Sequence, residues 1–197
     1  MPRPTRAESQ ARNRELLLRT ARTLFLRDGY QATSIAKIAD AAGFSTGAVY
    51  SNFEGKTELA LLVLREIQHE QLGTLETVMA GSKPVGQKLD EVREWAVAAL
   101  ASGWPRLELE FALEARADRS LIAAESDRQR TVVDRLAAAI SAQLPAKSLS
   151  SSLPIRTIAE AAVNLAIGLA VRRVVDPKVT PDSLVDLLRG VLVVPTG

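Results

Sequence analysis

The chain of 197 residues contains no cysteine and a single histidine, and only 4% of its residues are aromatic. Without cysteine there is no disulfide bond, no thiolate zinc site and no cysteine nucleophile. One histidine leaves little for metal coordination or for imidazole catalysis. We therefore expect neither a bound metal nor a cofactor, and the composition disfavours most classes of enzyme.

The sequence also lacks an uninterrupted apolar run long enough to span a membrane, although 47% of its residues are hydrophobic. The most apolar region, residues 157–175, is interrupted by one glutamate, one asparagine and two arginines, whereas a spanning helix needs about 18 or more apolar residues. The N-terminal stretch MPRPTRAESQARNRE is charged and has no apolar core or small-residue cleavage site. We expect a globular, cytoplasmic protein with no membrane partner.

The net charge of +2 is distributed unevenly along the chain. Residues 1–56 contain nine Lys and Arg against five Asp and Glu, a balance of +4, and the remaining residues balance at −2. A basic end on a weakly acidic body indicates a polyanion partner for that end. An ordinary solvated helix face explains the same charges equally well.

Helical periodicity and its punctuation predict an all-α fold of about nine helices. The first helix ends at Gly29, a second of about eight residues ends at Gly43, and Ser45 caps a third short helix. The following helices cover about residues 56–79, 88–102, 104–117, 119–143 and 155–175, and the last opens at Thr180 with Pro181 in its first helical position.

The second and third helices, joined by AGFS, fit a helix-turn-helix. Gly43 permits the tight turn, and Val49 packs back on the second helix, so the other face of the third helix points outward. That face is low in bulk and suits a major groove about 12 Å wide. Tyr50 offers a hydroxyl to a phosphate, and Lys56 begins the next helix, where free N–H groups also favour a phosphate.

The segment from about Leu16 to Leu59 resembles the DNA-binding domain of the TetR family of bacterial transcription regulators. It carries the pattern Phe-x-x-x-Gly-Tyr-x-x-Thr-Ser from Phe25, Ile-Ala-x-x-Ala-Gly from Ile38, and Tyr-x-x-Phe-x-x-Lys-x-x-Leu from Tyr50. Carried over residue by residue, the resemblance implies DNA contacts at Thr33, Ser34, Lys37, Ser45, Thr46, Gly47, Ala48, Tyr50, Ser51, Asn52 and Lys56. The chain departs from the residues frequent in the family at Ala48, Ser51 and Asn52.

The same resemblance implies two domains. Residues 1–55 would form a three-helix DNA-binding domain containing the helix-turn-helix. A long helix would join it to a larger helical domain, residues 56–197, for effector binding and dimerisation.

In the larger half, Glu108 lies within about 40° of an apolar stripe that includes Trp104 and Phe111. This carboxylate is either a polar group in an apolar ligand pocket or an edge group paired with an arginine such as Arg116 or Arg93. The predicted effector-binding residues are Trp95, Trp104, Glu108 and Phe111.

The helix at 155–175 is apolar nearly all round, and the last helix is rich in leucine. A monomer that exposed both helices would carry a large apolar patch. The resemblance implies that they form a two-fold dimer interface, and burial in the core of a single subunit is the alternative. The predicted interface residues are Ala162, Ala166, Leu169, Leu184, Leu188 and Val191.

These observations indicate a regulator and not an enzyme: a homodimeric repressor of a pseudo-palindromic double-stranded DNA operator, released by a small-molecule effector. An all-α enzyme with Glu108 as general base is the first alternative, and it lacks a partnered nucleophile or a second acid. A protein-binding adaptor that uses the apolar C-terminal helices is the second. A further hypothesis makes Arg3 and Arg6 a flexible arm that reaches the phosphates or the minor groove.

Overall fold

The computed structural model describes residues 5–142, 150–151 and 153–193. Over these residues the chain forms nine helices and one two-residue strand pair, which confirms the predicted all-α class. The helices are α1 (Arg6–Asp28), α2 (Ile35–Ala42), α3 (Thr46–Tyr50), α4 (Lys56–Ala80), α5 (Val85–Ala101), α6 (Trp104–Ala115), α7 (Arg119–Ser141), α8 (Ile155–Val175) and α9 (Asp182–Val191), and the strands are β1 (Ser150–Ser151) and β2 (Leu192–Val193).

The chain divides into two compact units, Met1–Ile67 and Gln68–Gly197. The boundary between them falls inside α4, because this helix contributes residues to both. The functional division that the sequence predicts after residue 55 stays a prediction.

The first helix begins at a capping box. The Thr5 hydroxyl accepts a hydrogen bond from the Glu8 N–H at 3.2 Å, and the Thr5 N–H donates to the Glu8 carboxylate at 2.7 Å. These bonds satisfy N–H groups that would otherwise be free at a helix start. Arg6 is therefore the first residue of an ordered helix, which corrects the hypothesis of a flexible arm at this position. Arg3 lies outside the described residues.

The connections around α2 and α3 follow the predicted punctuation. Gly43 ends α2 with a φ of 74° in the left-handed region. A residue with a side chain is less stable than glycine in this conformation. The Ser34 hydroxyl caps α2 by accepting from the Lys37 N–H, and the Ser45 hydroxyl caps α3 by accepting from the Ala48 N–H, each at 3.2 Å. The predicted cap at Ser45 is therefore confirmed, and Ser34 caps α2 in the same way.

The first unit packs its helices around one apolar core. Val49 and Phe53 are buried at 0% and 3% exposure, as their spacing predicts, whereas Tyr50 is 60% exposed. The other buried apolar residues of this unit are Leu17, Ala21, Leu24, Phe25, Tyr30, Ile38, Ala39, Leu59, Ala60, Val63, Leu64 and Ile67. The short α3 is thus fixed to the unit by one side and exposes the other.

The second unit has its own core, and this core contains the residues predicted for a dimer interface. Ala162 and Leu169 of α8 are buried in it together with Leu184 and Leu188 of α9, and Ala166 and Val191 pack against it. These six side chains are used inside the chain because α8 and α9 pack against each other and against their neighbours. The burial of Ala162, Leu169, Leu184 and Leu188 contradicts a contact from these four side chains to a second copy, whereas the assignment of the partly buried Ala166 and Val191 stays a prediction.

Three local features differ from the sequence prediction. Helix α5 begins at Val85, three residues earlier than expected, and its buried Lys88 donates a hydrogen bond to the Met79 carbonyl of α4. Helix α9 begins at Asp182, so Pro181 precedes the helix instead of occupying its first turn. Strands β1 and β2, which the sequence did not predict, pair in antiparallel fashion.

No helix within the described ranges has the length and apolar character to cross a membrane.

Candidate nucleic-acid interface and effector site

The outward face of α3 is short, polar and low in bulk. Thr46, Gly47 and Ser51 are exposed, and Ala48 and Asn52 are half-buried. Tyr50 projects from the same helix, with its ring outside the core that holds Val49. This face can enter a groove closely because no large side chain stands at its N-terminal half.

The absence of a side chain at Gly47 is not required by the fold. The positive φ angles recorded for glycines are at Gly29, Gly43 and Gly103, so Gly47 has an ordinary helical backbone. A methyl group built there would meet the Ser45 hydroxyl at 3.7 Å, which is ordinary van der Waals contact. The protein itself therefore leaves room for a methyl group at this position.

The polar side chains at the end of α3 are held by the helix itself. The Ser51 hydroxyl donates to the Ala48 carbonyl at 2.9 Å, and the Asn52 side-chain amide donates to the same carbonyl at 2.8 Å. Side chains fixed in this way lose less conformational entropy on binding a partner than free ones. The pair is preorganised before any contact forms.

Each of the two predicted lysines makes an internal contact. The Lys37 ammonium donates to the Ala32 carbonyl at 2.7 Å. The Lys56 ammonium donates to the Tyr30 carbonyl at 3.2 Å and lies 4.0 Å from the centroid of the Tyr30 ring. An ammonium group has three donors, so these contacts orient the side chains and leave donors for phosphate.

Thr33 requires a correction. Its side chain is buried, and its hydroxyl donates to the Gly29 carbonyl at 2.7 Å. The hydroxyl therefore stabilises the turn between α1 and α2, and the structure contradicts a side-chain contact from Thr33 to DNA. Ser34 is exposed, but its hydroxyl caps α2.

Sequence reasoning missed Arg14. Its Nη1 donates to the Asn52 carbonyl, and its guanidinium carbon lies 4.2 Å from the centroid of the Phe53 ring. A signal was present, because Arg14 precedes the buried Leu17 and Ala21 by three and seven residues and so shares their side of α1.

A buried cluster of charged and polar groups occupies the second unit. Arg128 of α7 binds both oxygens of Glu108 from α6, and its Nε and Nη2 bind the carboxylate of Glu125. Gln68 of α4 donates to the Arg128 carbonyl at 3.0 Å and accepts from Nη1 at 3.2 Å. The predicted edge pairing of Glu108 exists, but its partner is Arg128 and not Arg116 or Arg93.

The cluster holds its charges in place. Burial by itself lowers the pKa of Arg128 and raises the pKa of Glu125. Hydrogen bonds and charge attraction outweigh burial: Arg128 and Gln129 hold the pKa of Glu125 below its ordinary value, and Glu125 and Glu108 hold the pKa of Arg128 above its own. Both groups stay ionised at neutral pH because each stabilises the charge of the other.

The structure brings together only two of the four predicted effector residues. The indole N–H of Trp104 donates to the Glu108 carboxylate at 2.7 Å. Trp95 instead donates to the Gln71 side chain of α4 at 2.6 Å, and Phe111 is fully buried. Phe111 is therefore a core residue in this state, because a ligand would have to displace its packing to reach it.

A groove of about 290 Å³ lies between α4 and α7, and none of the four predicted residues lines it. Its lining consists of Glu76, Met79, Ala80, Arg135, Ala138, Ala139 and Ala142. The Arg135 guanidinium closes one part of it by an ion pair with Glu76 at 2.7 Å. The volume is at the lower end of the range for ligand pockets.

The family model described as bacterial regulatory proteins, tetR family, matches residues 17–63. The regulator AcrR of Shigella flexneri is 34% identical over 102 residues, 52% of this chain and 46% of AcrR. The transcriptional repressor KstR2 of Mycolicibacterium smegmatis is 32% identical over 76 residues, 39% of this chain and 37% of KstR2. The matches thus span less than half the length of either curated relative.

Solved structures establish the fold over most of the chain. NemR of E. coli in its reduced form has a TM-score of 0.79 at 17% identity and covers 94% of this chain and 100% of its own. FadR of Bacillus subtilis, solved in complex with stearoyl-CoA, has a TM-score of 0.68 at 19% identity, covering 88% and 96%.

The chain therefore shares its fold with these solved structures, and its match to the tetR family model covers residues 17–63. Residues 17–63 carry the domain of the tetR family of bacterial regulatory proteins, which confirms the resemblance stated from the sequence. The family and the curated relatives are transcription regulators and not enzymes, as predicted.

Proposed function

We propose that this chain is a cytoplasmic, homodimeric repressor that binds a pseudo-palindromic DNA operator and is released by a small-molecule effector. The observation that carries the proposal is the outward face of α3, where Thr46 and Gly47 are exposed beside the projecting Tyr50. Small and polar groups at the surface of a helix fixed by its opposite side are the arrangement that a major-groove reader needs.

The DNA contacts divide into two kinds. We assign base contacts to the residues from Thr46 to Ala48 and to Ser51 and Asn52. Tyr50, Lys37 and Lys56 contact phosphates, with the N-terminal turns that Ser34 and Ser45 cap alongside them. Phosphate contacts set the register of the protein on DNA, and base contacts set its sequence preference.

The dimer is proposed to form through the exposed side of α8. Apolar residues on this side follow one another at helical spacing, at Ile167, Val171, Val174 and Val175, with exposures between 41% and 86%. Gly168 shares the side, and a methyl group there would meet no atom of the chain within 4 Å. Leu187 of α9 is a further exposed apolar residue, with an exposed fraction of 40%. A second copy packed here would cover apolar area that a monomer leaves in water.

Such a dimer explains the proposed operator. A two-fold axis relates two copies of α3, and both reach the major groove of one DNA face when they lie about 34 Å apart. The operator then mirrors the two-fold symmetry of the protein.

The effector is proposed to act in the second unit at Trp104 and Glu108. The Glu108 side chain is 21% exposed while that of its partner Arg128 is 4% exposed, so the carboxylate is the accessible end of the cluster. The stearoyl-CoA complex of FadR, a protein of the same fold, supports a small molecule as a ligand of this chain. An effector reduces operator affinity by the factor with which it prefers the state that does not bind DNA.

The test is a fluorescence-anisotropy titration of the full-length protein with duplex DNA taken from beside its own coding region. We expect saturable binding that survives about 150 mM salt and that a shuffled duplex of equal length does not reproduce. Equal binding of both duplexes would refute the proposal of a specific operator. Binding of neither duplex would leave the protein-binding adaptor as the surviving alternative. If the bound protein raises the affinity of the promoter for RNA polymerase, and a transcription assay shows no repression, the protein is an activator.

A further inference from the structure

Helix α3 is too short to hold itself in place. Five residues allow few internal hydrogen bonds, and isolated helices of this length do not persist in water. Its N-terminal end is fixed by the Ser45 cap and the turn at Gly43. At its C-terminal end the N–H groups of Ser51 and Asn52 donate to the Gly47 and Val49 carbonyls, and a second support acts on the Asn52 carbonyl, which lies beyond the helix.

Arg14 supplies that support. Its Nη1 donates to the Asn52 carbonyl just beyond α3, and its guanidinium carbon lies over the ring of Phe53. A charged donor on a carbonyl belongs to the stronger class of hydrogen bonds, and an arginine over an aromatic face adds cation–π attraction.

The same guanidinium also reaches the start of α4. Arg14 Nη2 lies 3.7 Å from Glu58, and the other Glu58 oxygen accepts from the Glu54 N–H at 2.6 Å. The ion pair is half-exposed and contributes little by itself. Through this pair, one side chain of α1 contacts both the residue that follows α3 and the start of α4.

We infer that Arg14 is a positioning residue for sequence reading: it fixes the height and orientation of the C-terminal end of α3, where Ser51 and Asn52 are proposed to contact bases. The inference rests on the proposed function of α3 as the reading helix. The N-terminal end of α3 keeps its cap when Arg14 is removed, so the loss falls on discrimination by the C-terminal residues.

The competing role for an arginine of a basic helix is a direct phosphate contact, and two substitutions separate the roles. Arg14→Lys keeps the positive charge but loses the planar group that bonds a carbonyl while covering a ring. Arg14→Met loses both. If Arg14 is a positioning residue, both variants should lose at least fivefold in affinity for the operator. Their affinity for the shuffled duplex and the dependence of binding on salt should stay unchanged.

A phosphate contact gives the opposite pattern. Arg14→Lys would then keep operator affinity, and Arg14→Met would weaken both duplexes alike and reduce the salt slope by about one. That pattern overturns the inference. Arg19→Met is the matched control, because Arg19 lies on the same helix and pairs with Glu15 at 3.3 Å within it. The control should leave the ratio of specific to non-specific affinity within twofold of the parent.

Amide hydrogen exchange of the full-length protein without DNA tests the contact independently of the proposed function. Arg14→Met and Arg14→Lys should speed exchange at the amides of residues 51–53 at least fivefold, while the core amides of α1 and α4 keep their protection. Unchanged exchange at residues 51–53 overturns the support of α3 by Arg14. If the parent protein shows no sequence preference but the exchange result holds, the proposed function fails and the contact stands.

Discussion

Replacing Gly47 by alanine should stabilise the protein and weaken its binding to DNA. The backbone at Gly47 is helical, and the added methyl group meets only the Ser45 hydroxyl, at 3.7 Å. Alanine in a helix is favoured over glycine by up to about 1 kcal/mol, and near the end of a five-residue helix we expect about 0.5 kcal/mol. For a chain of this size that corresponds to a rise in Tm of about 1–2 °C.

The effect on DNA has the opposite sign. If α3 lies against base edges at Gly47, a methyl group must displace the helix or the base, and overpacking of a closely fitted contact costs about 1–3 kcal/mol. Operator affinity should therefore fall by about 5- to 150-fold. Differential scanning calorimetry gives the first quantity, and anisotropy titration of operator and shuffled duplex gives the second.

Gly43→Ala is the matched control, since it makes the same chemical change four residues earlier. At a φ of 74° alanine is strained by about 1–2 kcal/mol, so this variant should melt lower than the parent. A Gly47→Ala protein whose operator affinity stays within twofold of the parent would show that this face of α3 does not approach DNA closely.

Three further outcomes follow from the structure. Lys56→Ala should weaken operator and shuffled duplex equally and reduce the salt slope by about one, and a change in base preference would contradict its assignment to phosphate. Val171→Glu should shift the protein towards monomer in sedimentation equilibrium, whereas Val97→Glu on α5, with 43% exposure against 41%, should not; equal behaviour of the two would remove α8 from the interface. Glu125→Gln should destabilise the second unit by about 2 kcal/mol at pH 7, as measured by urea unfolding followed through tryptophan fluorescence. Because Arg128 holds the folded-state pKa of Glu125 below its ordinary value of 4.5, its contribution is present above pH 4.5 and is lost as pH falls through the folded-state pKa. A deficit that persisted unchanged at pH 3 would contradict this origin.

Local signals in the sequence predicted the elements of the first unit well. A positive-φ glycine and a capping serine act within a few residues of their own position, so Gly43 and Ser45 can be read without knowledge of the tertiary fold. The inward direction of Val49 and Phe53 follows from the same local geometry. These features are confirmed because nothing distant in the chain competes with them.

Contacts between helices could not be predicted in the same way. The wheel of α6 places Glu108 at the edge of an apolar stripe, but its partner Arg128 lies 20 residues further along the chain on α7. Periodicity gives the buried side of each helix, whereas the offset between two packed helices depends on how their side chains interdigitate. Arg116 and Arg93 are nearer to Glu108 in the sequence, and Arg93 pairs with Asp182 instead.

Helix α8 shows why four of the predicted interface residues are buried within the chain although an interface is still proposed. Its sequence is apolar nearly all round, so hydrophobicity alone does not tell which side faces the chain's own core. The core takes Ala162 and Leu169, and the side left over exposes Val171 and Val175 instead. On a monomer, Val175 would be 86% exposed to water beside other apolar residues. Large exposed apolar patches are uncommon on monomeric proteins. The proposed dimer accounts for the surplus of apolar residues on α8, because the helix would then serve two contacts, one within the chain and one with a second copy.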